Sequence, residues 1–267
     1  MNKKVLVIAH RGASDKLPDN TIESFDRAVL DKADMIELDV RRTADGHLVV
    51  FHNRYAPKLR IAGREDGAPR AVARLTCKEL RLACERQGFK LALLEEVLKR
   101  YAGRIVLNIE IKGTGYEQEV CDLVHKYGME KEVIISSFLP WVVKKTKIAD
   151  SSLLTGWIIG QKRLLKTNQP AQVLLKNLFA KLDAYSIHIN HRAITPKILK
   201  RFHDIGVPVY AWTVNDIKRM KYLIDLGIDG IITNKPADLR ALLNGDEAGI
   251  TKTKPKKKLM LFRRKGR

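Results

Sequence analysis

The sequence predicts a single (β/α)8 barrel, the TIM barrel, and three observations support this fold class. The chain has 267 residues, of which 45% are hydrophobic and 30% charged, and this suits one large globular domain. Short apolar runs alternate with helical segments almost to the end, which is typical of parallel β-α units. Polar residues gather where apolar runs end, as expected at the active face of a barrel.

Nine segments have the length and composition of strands. They are predicted at Val5–Ala9, Met35–Val40, Leu48–His52, Ile105–Ile111, Val133–Ser137, Leu153–Ile159, Ala184–Ile189, Val207–Thr213 and Gly230–Thr233. Helices are expected near 21–32, 76–86, 93–101, 116–127, 139–148, 170–180, 195–205, 215–226 and 236–243. A barrel has eight places, and the link Arg41–His47 is too short for a parallel crossover. Because it contains Asp45-Gly46, a turn signal, it predicts a hairpin or one interrupted strand.

The predicted domain organisation is a barrel over residues 1–250 followed by a basic tail over residues 251–267. Residues 54–75 combine Pro and Gly with many Arg, and a lid over the barrel mouth and a plain surface insertion fit them equally. The net charge is +20, and residues 252–267 hold nine Lys and Arg and no acid. Nearly half of the excess charge therefore belongs to the tail, and the whole chain favours anionic partners.

The cysteine pattern and hydropathy exclude several protein classes. Cys77, Cys84 and Cys121 show no C-x-x-C spacing, so neither a disulfide framework nor a zinc site is expected. A reducing, cytoplasmic location is the simplest expectation. The apolar run Val5–Ala9 is too short for a signal peptide, and no segment is long enough for a transmembrane helix.

Two predicted strands carry acids in alternation with apolar residues. Glu37 and Asp39 are two positions apart, so they point to the same face of their strand, as do Asn108, Glu110 and Lys112. Polar side chains are costly to bury without a function, and paired carboxylates repel unless a cation lies between them. Oxygen-only ligands predict Mg²⁺ or Ca²⁺. A pair of solvated acids is the alternative, which the apolar flanks disfavour.

Two histidines end predicted strands. His10 is followed by Arg11 and Gly12, which suit proton exchange, a phosphate contact and close backbone approach. With His52 it offers one group to take a proton and one to give it. Trp212 ends a later strand and suits packing against an apolar edge of a substrate. Taken singly, a stray histidine at the start of a loop and a tryptophan in the core explain these residues about as well.

Together these segments resemble the glycerophosphodiester phosphodiesterase family. The matching segments are His10-Arg11-Gly12, Pro18-Asp19-Asn20-Thr21, Ala33 to Val40, Val49-Val50-Phe51-His52, Leu107 to Lys112, Ser136-Ser137-Phe138, Ala211 to Asn215 and Asp229 to Asn234. They run from residue 9 to about residue 236, nearly the whole folded part. The set is highly specific, although each segment alone is weak.

The resemblance implies a TIM barrel with an insertion at 54–90 and a metal-dependent hydrolysis of glycerophosphodiesters to sn-glycerol 3-phosphate and an alcohol. It implies one divalent cation, Mg²⁺ or Ca²⁺. The matching positions are Glu37, Asp39 and Glu110 for the cation, His10 and His52 for acid–base catalysis, Arg11 and Lys112 for the phosphate, and Trp212 for the glycerol side.

Three positions depart from the family pattern. Asp19 stands where Glu is usual, which shortens its reach and puts any contact of that side chain in doubt. Asn53 stands where Asp is typical, and a neutral amide cannot favour a charged imidazolium as a carboxylate does. Leu93 stands where Thr is common, with no expected catalytic consequence. Because the central set is intact, the sequence predicts an active enzyme.

Two other functions remain open at this point. One is a lysophospholipase D-type activity on membrane lipids, and the other is a non-catalytic basic module that binds membranes or nucleic acid. The tail surrounds the apolar patch Leu259–Phe262 with basic clusters, which suits an anionic membrane surface and a peripheral location; a solvated tail is the alternative. No specific nucleic-acid partner is expected.

Overall fold

The computed structural model describes residues 4–56, 70–160 and 177–246, and within them nine strands form one sheet. The strands are β1 Leu6–His10, β2 Met35–Arg42, β3 Leu48–Val50, β4 Val106–Ile111, β5 Val133–Ser137, β6 Leu154–Ile159, β7 Ser186–Asn190, β8 Val209–Trp212 and β9 Gly230–Thr233. Eight of them are parallel in the order β1-β2-β4-β5-β6-β7-β8-β9, and β9 pairs back to β1. The predicted TIM barrel is confirmed.

The ninth strand belongs to a hairpin. β3 pairs antiparallel with the end of β2, with Val40 opposite Val50 and Arg42 opposite Leu48. The turn contains Gly46, whose φ of 85° is the left-handed conformation that glycine adopts freely. β3 is shorter than predicted because the carbonyl of His52 accepts two bonds from the Arg41 guanidinium, at 2.9 and 2.8 Å, in place of a strand partner.

Helices surround the barrel. They are α1 Ile22–Leu30, α2 Cys77–Glu85, α3 Leu94–Tyr101, α4 Glu117–Lys126, α5 Pro140–Ala149, α6 Pro196–His203, α7 Ile217–Asp225 and α8 Pro236–Leu243. Residues 177–182 are also helical, and the rest of the helix predicted near 170–180 lies outside the described residues. In the described part of the chain, every helix is too short or too polar to cross a lipid bilayer.

Each strand separates two kinds of side chain. In β4, Leu107, Ile109 and Ile111 are fully buried in the layer between the sheet and the helices. The intervening Asn108 and Glu110 point into the barrel, because side chains alternate along a strand. The few polar residues of this mostly apolar strand therefore lie in the barrel interior, where they need hydrogen-bond or charge partners.

An apolar layer fills the barrel beneath the carboxyl ends of the strands. Ile8, Met35, Ile134, Tyr210 and Ile232 form one buried cluster inside the ring. On four of these strands, the residue two positions later lies at the barrel mouth. The side chains at the strand ends therefore lie directly above a closely packed apolar layer.

Part of the insertion after His52 has a small core of its own. Val72, Leu75, Leu80, Cys84 and Leu91 cluster against β3. α2 within it begins with a capping box, in which Thr76 and Glu79 satisfy each other's backbone amides. The insertion was expected over 54–90, and its residues 57–69 lie outside the described part, as does the tail from residue 251. The lid and the tail function stay predictions.

Candidate active site

The predicted site residues meet in one pocket at the carboxyl ends of the strands. Its volume is about 130 Å³. The predicted residues that line it are His10, Arg11, Glu37, His52, Glu110, Lys112 and Trp212. Asp39 lies beside them, within reach of Glu37 and Glu110. Residues from both halves of the chain therefore contribute to a single site.

The acidic cluster consists of Glu37, Asp39 and Glu110. One carboxylate oxygen from each lies within 4.8 Å of the others, and all three residues are buried. Burial, followed by the charges of its two acidic neighbours, raises the pKa of Glu37 well above its ordinary value. Burial and the charge of Asp39 raise the pKa of Glu110 to about 7. The three negative charges are thus costly together, and a bound cation would relieve that cost.

The donor set fits a hard divalent cation. Three carboxylates supply only oxygen ligands, which Mg²⁺ and Ca²⁺ prefer. The amide of Asn108 lies fully buried among the residues that line the pocket and makes no hydrogen bond within the described chain. A buried amide without a partner is uncommon, and it is consistent with a site that receives a ligand.

Arg11 adopts a strained backbone conformation beside the acidic cluster. Its φ is 55°, which is rare for a residue other than glycine. Gly12 follows at φ 84°, and a Cβ there would lie 2.4 Å from Ser24 Oγ, so only glycine fits. This loop lets the Arg11 amide donate to Glu37 Oε2 at 3.0 Å while its Nε lies 3.0 Å from Asp39 Oδ2. The strain is of the kind found at functional sites.

Two residues outside the predicted set support the acidic cluster, Asp19 through its contact with Arg11 and Asn20 directly. Asp19 Oδ2 accepts from Arg11 Nη1 at 2.8 Å, so the shorter acid at this position still makes a contact. Asn20, at φ 59°, donates to Asp39 Oδ2 at 2.8 Å and accepts from the Asp39 amide at 3.1 Å. Sequence reasoning named Asn20 only within a motif; a polar residue between a loop and the helix start was the available signal.

Lys112 provides a second positive charge. Its Nζ lies 2.6 Å from Glu110 Oε1 and 3.2 Å from Asp39 Oδ1. Burial lowers its pKa, but the two acids outweigh burial and raise the pKa above the ordinary value. The ammonium therefore stays charged, and it also lies 5.6 Å from the centre of the Phe138 ring.

The two histidines flank the cluster with one ring nitrogen of each engaged. His10 Nδ1 donates to Asn234 Oδ1 at 2.6 Å, and His52 Nδ1 donates to Asn53 Oδ1 at 3.0 Å. Since an amide oxygen only accepts, Nε2 of each neutral ring keeps a lone pair. Burial, with help from Arg11, lowers the pKa of His10 to about 4, and burial also lowers the pKa of His52. Sequence reasoning named Asn234 only as the end of a matching segment and gave it no role, although its place just after β9 puts it at the barrel mouth.

Aromatic side chains form the other wall of the pocket. Trp212 and Phe138 meet edge to face with ring centres 5.2 Å apart. The indole Nε1 donates to the carbonyl of His188 at 3.1 Å, which fixes the ring against β7. Trp212 is therefore part of the pocket wall as well as a packed side chain, and Phe138 joins it without having been singled out from the sequence.

Fold and site together define the class of the chain as a TIM-barrel enzyme, and comparison with known proteins gives its family. The model of the glycerophosphoryl diester phosphodiesterase family matches residues 10–238. A glycerophosphodiester phosphodiesterase of Caldanaerobacter subterraneus subsp. tengcongensis is 33% identical over 249 residues, which cover 88% of this chain and 96% of the relative. The chain belongs to the glycerophosphoryl diester phosphodiesterase family, so the family and the enzyme class expected from the sequence are confirmed.

Solved structures agree with the fold. A glycerophosphodiester phosphodiesterase from Parabacteroides distasonis superposes with a TM-score of 0.73 at 25% identity, covering 92% of this chain and 99% of that one. A phosphodiesterase from Oleispira antarctica, solved with the product sn-glycerol-3-phosphate, superposes with a TM-score of 0.71 at 22% identity, covering 90% and 96%. At that identity, the second likeness shows the fold alone.

Proposed function

We propose that this chain hydrolyses glycerophosphodiesters to sn-glycerol 3-phosphate and an alcohol, with a divalent cation held by Glu37, Asp39 and Glu110. The observation that carries the proposal is the buried carboxylate cluster in one pocket with two histidines. The relative from Caldanaerobacter subterraneus subsp. tengcongensis, a glycerophosphodiester phosphodiesterase 33% identical to this chain, supports the assignment of the reaction. A cation bound there supplies charge stabilisation to the phosphoryl oxygens.

Arg11 and Lys112 bind the phosphate in this proposal. A guanidinium has five N–H donors and an ammonium has three, and the ion pairs within the acidic cluster use only some of them. The remaining donors are available for phosphate oxygens at the pocket. Because the site is buried, donors fixed in advance stabilise the charge that develops during reaction more strongly than water does.

His10 and His52 move the protons. Asn234 and Asn53 hold the two rings through Nδ1, which leaves Nε2 of each free to act. One Nε2 takes a proton from the attacking oxygen, and the other ring delivers a proton to the departing alcohol. The attacking oxygen is that of water or of the glycerol C2 hydroxyl, the latter passing through a cyclic phosphate. Trp212 packs on the glycerol.

The test is release of sn-glycerol 3-phosphate from glycerophosphocholine with Mg²⁺, with Ca²⁺ and with EDTA. We expect product with at least one of the two cations and none with EDTA. Turnover that persists undiminished in EDTA contradicts the cation site. Absence of product with both cations, from glycerophosphodiesters with several different head groups, contradicts the activity.

Lysophospholipase D-type activity is a second candidate, favoured by aromatic exposure beside the pocket. Phe138 is 36% exposed and Trp141 is 53% exposed, on the loop and first turn that follow β5. Such side chains suit contact with an acyl chain. The same assay on lysophosphatidylcholine tests this candidate, because product from that substrate alone makes the enzyme lipid-directed.

A reducing, cytoplasmic location and a tail that binds anionic membrane are also part of the proposal. Cys77, Cys84 and Cys121 are free and buried, as suits a reducing compartment. Sedimentation with anionic vesicles, with and without residues 252–267, tests the tail. Loss of binding on truncation is expected, and equal binding rejects the membrane role.

A further inference from the structure

A second cavity adjoins the active-site pocket and carries unusual charge. This cleft of about 1020 Å³ lies between the β2–β3 hairpin, the insertion and the loop after β4. We call it the basic groove, after the five cationic side chains that line it. These are Arg41, Arg42, Arg54, Arg74 and Lys112.

Most of this charge has no carboxylate partner within residues 4–56, 70–160 and 177–246, which the structure describes. Among the described residues that line the groove, Asp45 is the one acid, and its Oδ1 already accepts from Thr43 at 2.6 Å and from the Cys77 amide at 3.0 Å, where α2 begins. Arg54 and Arg74 are exposed, and neither has a carboxylate partner among the residues that the structure describes. Two guanidinium groups therefore face one cleft with their charge unpaired by the described chain.

The other two arginines are held in place and shape the groove. Arg42 Nη1 pairs with Glu119 at 2.7 Å and its guanidinium lies over the Tyr116 ring. Tyr116 in turn donates to the Val40 carbonyl at 3.0 Å. Arg41 donates twice to the backbone of His52. The groove is thus built on side chains fixed by the barrel, with Arg54 and Arg74 at its open side.

The basic groove shares the side chain of Lys112 with the reaction site. Lys112 lines both cavities, and Arg41 fixes the carbonyl of a proposed acid–base residue, His52. Trp212 enters the pocket from β8, which lies four strands from β4 in the eight-stranded ring, on the far wall. If the glycerol packs on Trp212, the alcohol on the other side of the phosphorus extends toward the groove.

We infer that the basic groove binds the alcohol part of the substrate, and that the preferred alcohol carries a second phosphate. This inference rests on the proposed hydrolysis and adds the substrate class. Arginine binds phosphate through paired N–H donors, more specifically than lysine does. A neutral or cationic head group makes no favourable charge interaction with Arg54 and Arg74, whereas a second phosphate makes one with each.

The experiment compares two soluble substrates that differ by one phosphate on the alcohol. Glycerophosphoglycerol has none there, and bis(glycerophospho)glycerol has one and also two equivalent scissile ends, a statistical factor of two. The proteins are the full chain, Arg54→Gln/Arg74→Gln, and Lys131→Gln, which removes an exposed charge just before β5 at the opposite end of the barrel. Values of kcat/KM are measured with the activating cation at low and moderate salt.

We expect the native chain to prefer the second substrate by roughly tenfold beyond the statistical factor, the size expected for two partly screened charge pairs. In the double variant this preference falls to about twofold or less, while Lys131→Gln keeps it. Added salt weakens it. Equal kcat/KM values in the native chain, or a preference unchanged in the double variant, overturn the inference.

Two control measurements distinguish this substrate preference from a loss of all activity and from membrane binding. Turnover of glycerophosphoglycerol without preference overturns this inference alone, whereas no turnover of either substrate or of glycerophosphocholine overturns the proposed function as well. Sedimentation with anionic phospholipid vesicles tests whether the phosphate that binds the groove belongs to a membrane surface instead of a soluble substrate. If the double variant loses vesicle binding while its substrate preference is unchanged, the groove binds a lipid surface and the inference is wrong.

Discussion

The two halves of the barrel rim differ in the side chains that they present to the pocket. β1, β2 and β4 contribute charged and titratable groups, among them His10, Glu37 and Glu110. β5 to β8 contribute uncharged surface, with Phe138 and Trp212 at its mouth. The first half holds the charges that chemistry needs and the second supplies shape, so substitutions in the two halves are expected to affect different kinetic constants.

The largest effect is expected from the charged half. In His10→Ala, kcat/KM falls roughly a thousandfold, because one of the two groups that exchange protons is lost. Initial rates on glycerophosphocholine with saturating cation measure it. His125→Ala, at an exposed histidine away from the pocket, is the control. Near-normal turnover by a folded His10→Ala protein rejects the assignment.

The uncharged half predicts a smaller effect that appears mainly in KM. In Trp212→Ala, the apolar face for glycerol and the contact with Phe138 are lost, so KM rises about tenfold while kcat changes less. The substrate is glycerophosphocholine, which has no acyl chain, so Trp141→Ala, which removes an exposed indole outside the pocket lining, serves as the control. A decrease confined to kcat would show that Trp212 contributes to the chemical step, as the charged half of the rim does, and would contradict this prediction.

Metal-free stability should show the cost of the acidic cluster. The pKa values of Glu37 and Glu110 are both raised in the folded state, that of Glu110 to about 7. In the window from about pH 4.5 to about pH 7 the folded state therefore keeps the Glu110 proton that the unfolded state releases, and Glu37 acts in the same direction. Their contribution to folding therefore weakens as pH rises through this window. Buried His10 and His188, with pKa lowered to about 4 and about 3, act oppositely in the same range.

Comparison with Glu37→Gln isolates the carboxylates, because both proteins share these histidines. The quantity measured in EDTA is the melting temperature of Glu37→Gln minus that of the native chain. This difference should increase by about 2–4 °C between pH 5 and pH 7.5. Added Mg²⁺ or Ca²⁺ should remove the native chain's disadvantage. A difference independent of pH contradicts the proposed electrostatic cost.

The smallest effect concerns the neutral neighbour of His52. In Asn53→Asp, a carboxylate replaces the amide that bonds His52 Nδ1, which favours the charged imidazolium. The limb of the pH–rate profile that reports His52 should move upward by about one pH unit. Asn244→Asp, at the end of α8, is the control, and an unchanged profile in Asn53→Asp shows that His52 does not limit the rate.

Local sequence patterns were enough to predict most of the fold and to bring together the residues of the central site. Alternation in β4 put Asn108, Glu110 and Lys112 on one face, and the short link with Gly46 favoured a hairpin over a parallel crossover. These predictions worked because alternation and chain reach are properties of neighbouring residues. Strand ends were less accurate, since β3 stops where Arg41 takes up the carbonyl of His52, a contact between side chain and backbone.

Contacts between distant residues could not be read from the sequence. Asn234 contacts His10 across 224 positions, and Asn20, whose backbone is left-handed, bonds Asp39 from a loop 19 positions away. The basic groove likewise joins Arg54 and Arg74 to Lys112 through the packing of the insertion on the barrel. In the sequence these arginines are a scattered surface charge, and only the fold brings them to one cleft beside the site.

The central claim is that the three carboxylates hold a divalent cation for the reaction. Calorimetric titration of the metal-free chain with Mg²⁺ and with Ca²⁺ tests it most directly, alongside Glu37→Gln and the surface control Glu85→Gln. The predicted result is one ion bound per chain with at least one of these metals, retained in Glu85→Gln and lost or strongly weakened in Glu37→Gln. Absence of binding by the native chain, or binding unchanged in Glu37→Gln, would contradict the account.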